Sequence, residues 1–120
     1  MTVVFTEETY GSVKKIGMAW TIGSSSSGTT TGTTSNGYNG ALERFVTSPN
    51  ASSAPSANYD IVVNDQDSTD VLMGGGANKS ASTTEQVNAA SLGVVANDKL
   101  TITISNAGSS CAGDAWLYIR

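Results

Sequence analysis

The segments Leu100-Thr-Ile-Thr-Ile104 and Ala115-Trp-Leu-Tyr-Ile119 decide the fold class. In the first, apolar and polar residues alternate with period two, as in a strand with one buried face. The second is a β-rich run that is apolar on both sides: Ala115, Leu117 and Ile119 share one face, Trp116 and Tyr118 the other. Between them, Asn106 to Asp114 is a stretch rich in Gly, Ser, Ala, Asn and Asp, a composition that favours turns. The closing part of the chain, 91–120, therefore reads as two short strands around a tight loop. If one face of the final strand meets the core, its Trp116–Tyr118 face is left for a subunit partner.

Working outward, Val13-Lys-Lys-Ile-Gly-Met-Ala-Trp-Thr-Ile22 is a second clear strand. Ile16, Met18, Trp20 and Ile22 fall on one side and are expected to meet the core. Thr2 to Phe5 reads as an edge strand or an extended arm. The Ser/Thr/Gly-rich stretch 23–40 is expected to hold a strand near Thr29–Thr34. Ala41–Ser48 carries Leu42, Phe45 and Val46 out of phase, which predicts a bulge or burial on both faces. Tyr59, Ile61 and Val63 are in phase on a further strand. Thr83–Leu92 competes between strand and a helical turn, with strand favoured. These signals predict an all-β fold, a single antiparallel β-sandwich or jelly roll of seven or eight short strands with an extended N-terminal segment. Residues 1–12 form an arm or edge strand, and 13–120 the sandwich domain.

Composition narrows the chemistry. The 120 residues suit one domain, which buries roughly two-thirds of its unfolded surface. Histidine is absent, so the usual general base at neutral pH and the commonest metal ligand are missing. A single cysteine, Cys111, makes no internal disulfide. Only 13% of residues are charged, against 17 Ser and 15 Thr, so hydroxyls supply much of the polarity. A net charge of −4 with six scattered Lys and Arg argues against nucleic-acid binding. The first residues lack a basic segment followed by an apolar one, so no secretory signal is expected, and no apolar run has membrane-spanning length.

Four constellations invite a chemical reading. Asp65, Asp67 and Asp70 form an acidic cluster of the kind that binds calcium, but Asp70 stands where a calcium loop needs Gly, and Gly76 where it needs Glu. A turn capped by its own carboxylates is favoured. Gly74-Gly-Gly-Ala-Asn-Lys79 lacks the glycine spacing of a phosphate loop and reads as a turn. Glu43 and Glu85 are the carboxylates that a glycosidase reading would pair, though nothing in their spacing singles them out. No nucleophile–base pair can be assembled, so no enzyme, no metal and no cofactor is expected. Trp116, Tyr118 and Tyr38 are candidates for a sugar-stacking platform, whereas Trp20 is expected in the core.

Thr9-Tyr-Gly-Ser-Val-Lys-Lys-Ile16, Phe45-Val-Thr-Ser-Pro49, Ala54-Pro-Ser-Ala-Asn-Tyr-Asp60, Asp67 to Gly76, Ser91-Leu-Gly-Val-Val-Ala96 and Leu117-Tyr-Ile-Arg120 resemble a family of small structural proteins of tailed bacteriophages and prophages. These are framework residues spread over most of the chain. The resemblance implies a virion component made in the host cytoplasm, of the capsid cement or decoration kind. It would be a homo-oligomer, expected as a trimer, that bridges major capsid protein subunits; a tail component and a carbohydrate-binding module are the alternatives. Under this reading Val3, Val4 and Phe5 contact the partner as a clasp, and Trp116 and Tyr118 meet other copies.

Overall fold

A computed structural model describes residues 2–24 and 28–120. It is an antiparallel β-sandwich built from β1 (Thr2–Tyr10), β2 (Val13–Ile22), β3 (Thr30–Thr33), β4 (Tyr38–Pro49), β5 (Asp60–Asn64), β6 (Glu85–Asn88), β7 (Val94–Asp98), β8 (Thr101–Ser105) and β9 (Cys111–Ile119). A three-residue 3₁₀ turn, Ala89–Ser91, follows β6. The larger sheet runs β1-β2-β9-β4-β6, with β7 also paired to β4, and the smaller one runs β3-β8-β5.

The final strand is central. β9 pairs with β2 on one side and β4 on the other, and its inward residues Ala115, Leu117 and Ile119 are buried. The smaller sheet contributes Ile61, Val63, Ile102 and Ile104 to the same core, all buried. Each such large apolar side chain contributes about 1.5–3 kcal/mol on leaving water. The period-two reading of β2 holds: Ile16, Met18, Trp20 and Ile22 all lie in the core. A register shift between Leu42 and Arg44 marks the irregularity expected in β4, and Phe45, Val46 and Thr47 are buried in succession.

The sequence reading of 91–120 needs three corrections. Three strands lie there, bringing the described residues to nine strands. β7 carries no clear pattern, because Ala96, Asn97 and Asp98 break the apolar run and only Val95 of that strand is buried. β9 begins at Cys111, inside the expected loop. Ala112 pairs with Thr21, and Gly113 with both Trp20 and Pro49, despite weak strand propensity. The two deciding segments do not pair with each other, since β8 and β9 lie in different sheets and the intervening residues cross between layers. In 83–92 strand and helical turn both occur, one after the other.

Candidate interaction surface

Cross-strand register sets the outward face of the larger sheet. Reading across it, Glu8 stands opposite Lys15, Lys15 opposite Tyr118, Tyr118 opposite Arg44, and Arg44 opposite Asn88. The adjacent row is Thr6, Gly17, Trp116, Val46 and Gln86. Strands about 4.8 Å apart thus place a cation on each of the two strands that flank Tyr118. Lys15 Nζ lies 5.7 Å from the Tyr118 centroid and 5.9 Å from that of Trp116, and the Arg44 guanidinium lies 5.5 Å from Tyr118. Arg44 also donates from Nε to Gln86 Oε1 at 2.9 Å. The Trp116 indole leans over Gly17, where an added Cβ would meet its Cδ1 at 3.6 Å. Both aromatic residues are half-buried.

Rings, and not carboxylates, hold these two cations. Among the described residues the one ion pair is Lys14–Glu7, at 3.7 Å. Glu7 belongs to a second network that fastens β1 to the body. Its Oε1 accepts from the Tyr38 hydroxyl at 2.6 Å and from Asn36 Nδ2 at 3.4 Å, while Lys14 Nζ sits 5.8 Å from the Tyr38 centroid. The Tyr38 hydroxyl, ahead of Asn36 and Lys14, holds the Glu7 carboxyl below its ordinary value. Burial, then the bond to Glu7, raises that of Tyr38. Beside this network lies an open cleft of about 140 Å³ lined by Ser12, Lys14, Tyr38, Asn39, Ile119 and Arg120. It is well under the roughly 300 Å³ at which small-molecule pockets begin.

The residues singled out from sequence separate in the structure. Trp116 and Tyr118 stand together on the outer face. Val3 and Phe5 turn inward and are partly buried, with Val3 Cβ only 2.8 Å from where a Cβ on Gly32 would sit. Val4 points the other way and is 58% exposed. The three do not make one patch, because a strand sends neighbours to opposite faces. Tyr38 is buried, which parts it from the other two candidate stacking rings.

The loop candidates serve the backbone. Asp65 Oδ1 accepts from the N–H groups of Asp67 and Thr69, and Asp70 from those of Leu72 and Gly74, at 2.9–3.0 Å. Among the described residues no group of three or more Cys, Asp or Glu is placed to hold a metal ion. Residues 70–79 form a strap along β5: Val71 N–H bonds to Val63 O, Ile61 N–H to Gly76 O, and Lys79 N–H to Tyr59 O. Glu85 Oε1 accepts from Ser80 N–H. Sequence alone does not mark Lys15 and Arg44, since their place beside Tyr118 depends on the order β2-β9-β4. The one available signal is a lysine on the face of β2 opposite its apolar residues.

No family model, curated protein or solved structure matches the chain. No helix among the described residues is long and apolar enough to cross a membrane.

Proposed function

We propose that this protein is a structural component of a tailed-bacteriophage virion, a capsid decoration protein that bridges shell subunits and meets its own copies through the outer face of its larger sheet. The virion role rests on the sequence resemblance, and the observation that supports the contact face is the row Lys15–Tyr118–Arg44 beside Trp116, at the middle of that face. Trp, Tyr and Arg are the residue types that dominate protein–protein hot spots, and a half-buried cluster at a face centre can be desolvated fully by a partner. Cross-strand pairing fixes where the backbone carries these side chains, and the two aromatic rings have few rotamers to lose on contact.

The same geometry disfavours a glycan platform. Sugars stack on open ring faces, and two cations lie over the Tyr118 ring, at 5.7 and 5.5 Å from its centroid. Deleting the gene and challenging the resulting particles by heat and osmotic shock tests the reading. Particles that lack the protein should lose DNA at lower temperature; particles of unchanged resistance would overturn a cement role. Immunogold label on tails would move the protein to the tail apparatus.

A further inference from the structure

We infer that the free edge of β1 is a strand-addition site for an extended segment of another protein, one carrying a cation and an apolar residue four positions apart. This does not depend on which particle the protein belongs to. β1 pairs with β2 through nine consecutive residues without a register shift, and among the described residues with no other strand. A two-residue loop, Gly11–Ser12, joins Tyr10 to its partner Val13. Such a loop closes on a pair that exchanges both hydrogen bonds, and the pattern then alternates. Thr2, Val4, Thr6, Glu8 and Tyr10 therefore bond to β2. Val3, Phe5, Glu7 and Thr9 aim their N–H and C=O groups outward.

The other edges of this molecule are closed or short. β5 is covered by the 70–79 strap, β3 and β6 have four residues each, and the β4–β7 pairing is broken by a bulge. Exposed edges are normally blunted by lysine, proline, bulges or inward charges. β1 has no lysine, proline or bulge. Its inward charge, Glu7, is tied back by Tyr38 and Lys14.

Charge and exposure choose the occupant. On the outward-facing row Glu8 makes no ion pair among the described residues: Lys15, its cross-strand neighbour, lies over the Trp116 and Tyr118 rings, and the Glu8 carboxylate accepts from Tyr10 at 2.6 Å. Four residues earlier stands Val4, 58% exposed. An antiparallel strand with a cation opposite Glu8 and an apolar residue opposite Val4 complements both. Pairing β1 with β1 of a second copy would instead join two chains of net charge −4 and supply no cation.

The test is an amide-resolved NMR titration of the full chain with a capped nine-residue threonine peptide bearing arginine at its third and valine at its seventh position. Shifts and gained exchange protection should concentrate at Val3, Phe5, Glu7 and Thr9. A peptide with glutamate replacing arginine should bind about fivefold more weakly. Thr9→Pro, which loses only an outward N–H, should remain folded and abolish the response, whereas Thr6→Pro should destabilise the hairpin. The inference is overturned by no response at millimolar peptide, by exchange protection gained on the even-numbered residues and not the odd ones, by equal binding of the glutamate peptide, or by β1-mediated self-association of the free chain. None of these outcomes bears on the Trp116–Tyr118 face.

Discussion

Gly113→Ala tests how the last strand is locked into the core. A Cβ at this position would sit 2.6 Å from Trp20 Cζ2 and 2.8 Å from Cε2. The indole is 1% exposed and lies 5.6 Å, centroid to centroid, from the fully buried Tyr59, so it has no free side to retreat to. Overpacking of this kind costs roughly 1–3 kcal/mol. At about 4 °C per kcal/mol for a domain of this size, Tm should fall by roughly 4–12 °C. Calorimetry and urea unfolding read it directly. Gly23→Ala, with no atom of the described residues beyond its chain neighbours within 4 Å of its added Cβ, is the control and should stay within about 0.5 kcal/mol. Trp20→Phe removes Cζ2, the nearest of the clashing atoms, so the double variant should be more stable than the two single effects predict. A Gly113→Ala protein melting within about 1 °C of the parent, or additive effects in the double variant, would refute the packing.

Glu7 has a folded-state value below its ordinary 4.5, so its contribution is full above that pH and is lost as pH falls through the lower folded value. Urea midpoints between about pH 6 and 3 should therefore decline less steeply in Glu7→Gln, and parallel curves would contradict the Tyr38 bond. Cys111 is buried, donates to Ala107 O at 3.3 Å, and has its thiol pushed up by burial. Aromatic disulfide reagents should label it only after denaturant is added, and fast native labelling would count against that placement. Trp116→Ala should fold with about 1 kcal/mol lost, whereas Leu117→Ala, fully buried, should lose about 2–5 kcal/mol; equal losses would mean the two faces of β9 are misassigned.

Legibility in the sequence depends on whether a residue's environment is local. The alternation in β2 and β8 predicts which side is buried, because period two follows from strand geometry alone. β7 is not visible there, because its pairing with β4 outweighs a weak pattern in which only Val95 is buried. The expected grouping of Val3, Val4 and Phe5 fails on the same alternation, which sends Val4 outward and its neighbours inward. Trp116 and Tyr118 are legible as a pair, since i and i+2 share a face. Their flanking cations are not, because Lys15 and Arg44 belong to β2 and β4, which meet β9 only through the sheet order. The carboxylates of Asp65 and Asp70 are legible as turn caps, a short-range effect that needs no tertiary contact.

Whether the outer face of the larger sheet is a contact surface is tested most directly by cryo-electron microscopy of intact particles carrying the protein. Density for the sandwich is expected on the shell, with Trp116 and Tyr118 covered by a neighbouring polypeptide and Lys15 and Arg44 beside its carboxylates. A sandwich seated on the particle with that face open to solvent would contradict the proposed role of the face.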